Sequence, residues 1–320
     1  MKNDLLIIAS GGGHTGFGVA IAEYLPFKPD FIIPEGDKFS EELVKPISRR
    51  IFYVKKGKEP NETNLSLIKN LPKIVAQSIR VPKYKVTIAT GSNHSLIPAV
   101  IEKIKGSKLF AIESQDRFIT KGKSIEILSH ISKAVFLHWE EQKKLYKNGI
   151  VVGPIVGKPK YESKDGDYVL VTTGSMGFKR LFDTLISLNT KRKFIIQTGR
   201  IEPSIYKRKR QDWEFISFTT DIERLIANSS VVVTHQGKTA MEAVVMYRKP
   251  TIIVYNNEWI YATTKEDTKI YARVLGATFL DDPSTWESNE IILDAIEKAK
   301  KPNVFEPGTK KLVDILSNEI

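Results

Sequence analysis

The run Leu5-Leu6-Ile7-Ile8-Ala9-Ser10-Gly11-Gly12-Gly13-His14-Thr15-Gly16 decides the fold. Five apolar residues without a polar interruption predict a strand buried on both faces, and the glycines that follow predict a tight turn. Val19, Ile21, Ala22 and Leu25 then carry the spacing of an amphipathic helix. Strand, glycine turn and helix start together expose backbone N–H groups and the positive end of a helix dipole, the geometry that holds a phosphate. Gly11, Gly13 and Gly16 also fit G-x-G-x-x-G, so dinucleotide binding is weighed beside it, with Glu35 or Asp37 after the second strand as ribose ligand. His14 is either a plain helix cap or, being titratable near neutral pH, a general base.

Outward from this run, short apolar segments alternate with helical patterns. Strands are predicted at Asp4–Ala9, Phe31–Pro34, Arg50–Val54, Val86–Ala89, Leu109–Ile112 and Ala134–Leu137. The scheme repeats at Tyr168–Thr172, Lys193–Gln197, Glu214–Ser217, Val231–Thr234 and Thr251–Tyr255. Such alternation predicts parallel sheets covered by helices on both faces, hence two doubly wound α/β domains. Two prolines and two glycines in Gly153-Pro154-Ile155-Val156-Gly157-Lys158-Pro159 mark the boundary, giving domains 1–156 and 157–320 with a hinge and a cleft between them. The tail from Gly308 has helical spacing and is expected to pack back on the first domain.

The chain has 320 residues and a net charge of +12, of which +9 falls in residues 1–156. That balance suits nucleic acid, an anionic membrane surface or phosphorylated substrates without choosing among them. With no cysteine, disulfides, thiolate zinc sites, iron–sulfur clusters and a cysteine nucleophile are excluded, which fits a reducing cytosolic compartment. No window reaches the roughly 18 apolar residues of a spanning helix, and Met1-Lys2-Asn3-Asp4 does not open a signal peptide.

Four segments occur in order in the first half: Ile8 to Gly16; Thr90-Gly91-Ser92-Asn93-His94 with Pro98; Ile112-Glu113-Ser114-Gln115-Asp116-Arg117; and Phe136-Leu137-His138-Trp139-Glu140-Glu141 with Lys144-Leu145-Tyr146. Together they resemble the acceptor-binding, membrane-associated subunit of the eukaryotic UDP-N-acetylglucosamine transferase that adds the second sugar in dolichol-linked oligosaccharide assembly. The second half, with Val171-Thr172-Thr173-Gly174-Ser175, Phe178, Thr234-His235-Gln236-Gly237, Glu242, Lys249-Pro250 and Tyr255-Asn256, resembles the donor-binding partner subunit. The chain thus looks like a fusion of the two, more distantly similar to bacterial MurG.

The resemblance implies a GT-B type α/β fold, two Rossmann-like doubly wound domains facing a central cleft. It also implies an inverting single displacement with no catalytic metal and no cofactor. On the acceptor side, Gly11, Gly12, Gly13, Thr15, Gly16, Gly91, Ser92, Asn93 and Ser114 would face the lipid diphosphate, with His14 or Glu113 as base. On the donor side, Thr173, Gly174, Ser175, His235, Gln236, Gly237, Lys238 and Thr239 would hold the nucleotide diphosphate. Lys238 would meet charge developing on the departing UDP, or simply be a solvated lysine at a helix start. Glu242 would bind the ribose, although it stands one residue earlier than the family's glutamate. The implied partners are a UDP-sugar and a polyprenyl-diphosphate-linked sugar. An NAD-dependent oxidoreductase and a capsule or exopolysaccharide glycosyltransferase using another UDP-sugar are the alternative activities.

Between Glu62 and Glu102 there is no acidic residue, while Lys69, Lys73, Arg80, Lys83 and Lys85 interleave with Leu65, Leu67, Ile68, Leu71, Ile74, Val75, Ile79 and Val81. Apolar residues at helical spacing beside cations suit either a helix lying on anionic headgroups, which predicts peripheral attachment at the cytoplasmic face of the membrane, or an ordinary core helix with a solvated basic face. The cluster Lys207-Arg208-Lys209-Arg210 has no aromatic residue interleaved within it and is expected to be a solvated loop, so no nucleic-acid partner is expected.

Overall fold

The computed structural model describes residues 4–57, 64–259 and 263–320. The residues group into two compact units, 1–158 with 307–320, and 159–306.

In the first unit the elements run β1 (Leu5–Ile8), α1 (Gly12–Tyr24), β2 (Asp30–Pro34), α2 (Lys38–Val44), β3 (Ile51–Val54), α3 (Asn64–Arg80), β4 (Val86–Ala89), α4 (Ser92–Ile104), β5 (Lys108–Ile112), α5 (Lys123–Ser129), β6 (Ala134–Leu137) and β7 (Gly149–Val151). The seven strands are parallel in the order β3-β2-β1-β4-β5-β6-β7. All four residues of β1 are buried, because helices cover both faces of the sheet. α3, α4 and α5 pack against one another, while α1 packs against α2 and against the last helix, α12 (Thr309–Ser317). That last helix is tied in by Thr309, whose Oγ1 accepts from Val156 N–H at 2.9 Å. Gly308 N–H donates to the Pro154 carbonyl at 2.7 Å.

The second unit repeats the plan with β8 (Tyr168–Thr172), α6 (Lys179–Ile186), β9 (Lys193–Gln197), α7 (Ser204–Lys207), β10 (Glu214–Ile216), α8 (Ile222–Ala227), β11 (Val231–Thr234), α9 (Lys238–Val245), β12 (Thr251–Val254), α10 (Lys265–Leu275), β13 (Thr278–Leu280) and α11 (Ile291–Glu297). Its six parallel strands follow the order β10-β9-β8-β11-β12-β13. Phe178, Phe182, Phe194, Tyr206 and Phe215 fill one side of the sheet, and Ile226, Val232 and Tyr247 belong to a second cluster. β13 was not expected from the sequence: it is a three-residue edge strand, too short to show a pattern.

Candidate functional site

In each sheet the chain order reverses at one place, and open α/β sheets bind ligands beyond the carboxyl ends of the strands at such a point. In the first unit it lies between β1 and β4, whose register sets Ile8 beside Ala89. The glycine turn after β1 and the Thr90–Asn93 turn after β4 therefore emerge side by side. α1 starts at Gly12, so the N–H groups of Gly12, Gly13 and His14 have no acceptor within the helix. Gly12 and Gly13 are exposed. α4 starts at Ser92, next to Gly91, with Asn93 exposed in its first turn.

His14 joins the two turns. Its Nδ1 lies 2.7 Å from the Thr90 carbonyl, which can only accept, so the ring carries its proton on Nδ1 and leaves the Nε2 lone pair available. Burial pulls the His14 pKa below its ordinary value, the hydrogen bond to Thr90 works against this, and the Arg117 guanidinium adds to the lowering. The imidazole is thus held neutral and able to take up a proton. Gly91 makes this placement possible: its φ is +112°, and a Cβ there would come within 2.7 Å of the His14 ring.

Thr15 is buried and engaged inward. Its Oγ1 accepts from Gly11 N–H at 3.0 Å and bonds Ser40 Oγ at 2.7 Å. Ser40 in turn donates to Asp37, the cap of α2. Asp37 is therefore held in a capping chain, and Glu35 pairs with Lys73 at 2.8 Å, so both carboxylates weighed for a dinucleotide ribose have local structural partners.

Glu113, just past β5, is 1% exposed. Its carboxylate accepts from Ser114 N–H at 2.7 Å, Gly122 N–H at 2.9 Å and the Tyr146 hydroxyl. Burial raises its pKa, and these hydrogen bonds oppose the rise. Gln142 adds two bonds, to the carbonyls of Ser114 and Arg117, each at 2.8 Å. His138 Nε2 reaches the Glu113 carbonyl at 3.1 Å. The loop that carries Ser114 and Arg117 is thus fastened by Glu113 and Gln142 together.

The second unit reverses order between β8 and β11. Val171 pairs with Val233, which brings Thr173 level with His235. The Thr173–Phe178 turn carries the chain from β8 to α6. Gly174 and Gly177 have φ of +74° and +77°, and α6 begins only at Lys179, four residues past Ser175. Across from it, α9 begins at Lys238, with Gly237 as cap and Thr239 half-buried in its first turn. The His235 Nε2 would stand 3.5 Å from a Cβ on Gly174 and 3.6 Å from one on Gly237, so the ring lies between the two turns. Burial pushes the His235 pKa down to about 4.

Thr173 Oγ1, Thr234 Oγ1 and His235 Nδ1 are buried without a hydrogen-bond partner, and in the first unit Ser10 Oγ is in the same situation beside Gly91. Buried polar atoms are normally paired, and the three at the second reversal point are candidates to meet a polar ligand. Gln236 is committed to structure: its side chain exchanges two 2.9 Å hydrogen bonds with the backbone of Asn256. Lys238 and Glu242 form an ion pair with each other.

Residues 168–266 match the model of the glycosyltransferase family 28 C-terminal domain. The second unit is thus similar to the family 28 glycosyltransferases. The chain is 25% identical, over 81% of its own length and 77% of the relative's, to the UDP-N-acetylglucosamine–N-acetylmuramyl-(pentapeptide) pyrophosphoryl-undecaprenol N-acetylglucosamine transferase of Thermosipho africanus. Among solved structures, MurG of Acinetobacter baumannii matches with a TM-score of 0.65 at 14% identity, covering 98% of this chain and 99% of that one. UDP-GlcNAc 2-epimerase of Neisseria meningitidis matches with a TM-score of 0.66 at 12% identity, covering 98% and 100%. These likenesses place both Rossmann-like sheets in the GT-B fold. The family 28 match spans both turns of the second reversal point, from Thr173 to Glu242.

On the first unit, α3 turns Ile74 and Ser78 inward and leaves Leu65, Ile68, Leu71 and Ile79 from 39% to 65% exposed, with Lys69, Lys73 and Arg80 exposed beside them. The Leu67 side chain lies outside the described residues, as do Met1-Lys2-Asn3. Among the described residues no helix is long and apolar enough to cross a membrane. None of their His, Asp and Glu side chains gather in threes that could hold a metal ion. In the basic cluster, Lys207, Arg208 and Lys209 are exposed. Arg210 stacks on Trp213 at 3.7 Å and pairs with Asp212 at 2.7 Å.

The sequence did not single out Ser10 Oγ, the His14–Gly91 contact or the Lys238–Glu242 pair. The last had a signal, opposite charges four apart on one helix.

Proposed function

We propose that the chain transfers a sugar, N-acetylglucosamine, from its UDP-linked form to a sugar carried on a polyprenyl or dolichyl diphosphate. The observation that carries this conclusion is that the family 28 match covers the two turns and the unpaired hydroxyls of the second unit's reversal point. The relative from Thermosipho africanus bears a name describing N-acetylglucosamine transfer to a lipid-linked pyrophosphate, which supports the same substrates here.

In this scheme the donor diphosphate lies against the Thr173–Gly177 turn and the start of α9, where N–H groups and the helix dipole meet its charge. Lys238 and Glu242 exchange their mutual pairing for contacts with phosphate and ribose. The acceptor diphosphate lies at Gly11–Gly13 and at Ser92–Asn93. The acceptor hydroxyl attacks the anomeric carbon, its proton passes to His14 Nε2, and UDP leaves with the electron pair of the broken C–O bond, inverting the configuration. No metal is required in this scheme, because the leaving charge is met by N–H groups and Lys238. Glu113 positions the loop bearing Ser114 rather than taking the proton, since its oxygens already accept three hydrogen bonds.

The exposed apolar stripe of α3 and its cations would rest on anionic lipid at the cytoplasmic face, each cation contributing about 1 kcal/mol. The ordered motifs shared with the eukaryotic two-subunit enzyme support a fused form of that pair. Whether the product feeds N-glycan or polysaccharide precursor assembly follows from the lipid acceptor used.

The deciding experiment incubates purified protein with labelled UDP-sugars and polyprenyl-diphosphate-GlcNAc. Label appearing in the lipid fraction from UDP-GlcNAc supports the proposal, and no transfer from any UDP-sugar removes it. A thermal shift with UDP but none with NAD(H) separates it from the oxidoreductase alternative.

A further inference from the structure

One aromatic side chain beside the second reversal point stands on a segment fastened from several distant parts of the chain. Trp259 follows β12, and its ring centroid lies 5.7 Å from that of His235 at an interplanar angle of 54°. His235 in turn lies between Gly174 and Gly237. The segment that presents Trp259 is fastened residue by residue. Gln236 holds Asn256 through two hydrogen bonds. Asn257 N–H donates to Asp282 at 3.0 Å, and Arg180 bonds the Asn257 side chain at 2.9 Å and Glu258 at 2.6 Å. Glu258 N–H donates to Asn256 Oδ1 at 3.0 Å, and Trp259 N–H to the Asn256 carbonyl at 3.2 Å. Arg180 also pairs with Asp282 at 2.5 Å, so α6, β12 and the turn after β13 all converge on this segment.

A half-buried indole, on a segment fastened in this way and beside the imidazole that lies between the two glycine turns, has the composition of a ring-binding wall. Ligand sites are largely apolar and aromatic surfaces with a few fixed polar groups. A preorganised aromatic face gives more affinity than a mobile one, because less side-chain freedom is lost on binding. We infer that Trp259, backed by His235, stacks on a flat ring of the nucleotide-sugar donor. This deepens the transferase proposal and rests on it. The stacking ring is either the planar nucleobase or the C–H face of the pyranose, and either offers an apolar surface to the indole.

The test is a titration of the full chain with UDP, UDP-GlcNAc and uridine, followed by intrinsic tryptophan fluorescence and by calorimetry, for the unmodified protein, Trp259→Ala and Trp259→Phe. Trp259→Ala is expected to lose about 10-fold or more in affinity, the scale of removing one ring from an aromatic stack. Trp259→Phe should stay within about 3-fold, because it keeps a ring, while losing most of the ligand-induced fluorescence change. A loss shared by UDP and UDP-GlcNAc assigns the base as the stacked ring; a loss confined to UDP-GlcNAc assigns the sugar. Equal affinity of Trp259→Ala and the unmodified chain for all three ligands, with cooperative melting retained, overturns the inference alone. Should the unmodified chain bind neither UDP nor UDP-GlcNAc, the transferase proposal fails and the inference with it. Retained ligand binding by Trp259→Phe shows that the site has folded.

Discussion

Gly91→Ala puts the assignment of His14 under the most exacting test. A Cβ at position 91 would stand 2.7 Å from both Cε1 and Nδ1 of the His14 ring, whereas carbon contacts settle near about 3.5 Å or beyond. The ring must therefore retreat by about 1 Å. That movement stretches its 2.7 Å hydrogen bond to Thr90 past the roughly 3.2 Å limit of a good bond. A misplacement of about 1 Å at a reacting group can cost on the order of 100-fold in rate, so kcat for sugar transfer should fall by about that factor. The φ of +112° adds backbone strain of roughly 1–3 kcal/mol in any residue with a side chain. At about 2–4 °C per kcal/mol for a domain of this size, Tm should drop by several degrees without loss of the fold. Affinity for UDP should be unchanged, because the donor turns belong to the other unit. The assay is transfer to polyprenyl-diphosphate-GlcNAc, run beside a melting curve and a UDP titration. A folded Gly91→Ala enzyme within about 3-fold of normal kcat would refute the placement of His14 as the base.

His14→Ala should lower kcat by at least roughly 100-fold with little change in melting. Glu113→Ala should instead destabilise by about 2 kcal/mol or more in urea unfolding, because the buried Tyr146 hydroxyl and the part-buried N–H groups of Ser114 and Gly122 lose their acceptor; an unchanged midpoint would contradict the fastening role. His94, 2% exposed, is held by burial at a pKa of about 4, below the ordinary histidine value near 6.5. The unfolded chain therefore binds the proton first as pH falls. The contribution of His94 is fully present above about pH 6.5 and lost toward pH 4, on the order of 3 kcal/mol in all. Urea midpoints for His94→Gln should show a shallower decline across that window, and parallel pH curves would count against it. Ile68→Glu on α3 should abolish co-sedimentation with anionic vesicles, and sedimentation as strong as the unmodified chain's would dismiss α3 as the docking helix.

Much of the architecture could be read in advance because parallel strands buried on both faces announce themselves as unbroken apolar runs. Leu5–Ile8, Val86–Ala89, Ala134–Leu137 and Val231–Thr234 are of this kind. β13 could not be, since three residues at a sheet edge carry neither length nor alternation. The glycine turns were visible as composition, but their partners were not. That His14 meets Gly91 depends on β1 lying beside β4, a consequence of strand order. Likewise, Glu113 looked like a free carboxylate until the backbone of Gly122 and the Tyr146 hydroxyl were brought onto it. Trp259 gave no signal beyond being a lone tryptophan after a strand, because the bonds from Arg180, Gln236 and Asp282 that hold its segment come from distant parts of the chain.

A crystal structure with UDP bound tests the central claim most directly. The account predicts the diphosphate oxygens within hydrogen-bonding distance of the Thr173–Gly177 turn and of the first N–H groups of α9, with the Lys238–Glu242 pair opened. UDP seated at the Gly11–Gly16 turn, with Thr173, Thr234 and His235 left untouched, would contradict it.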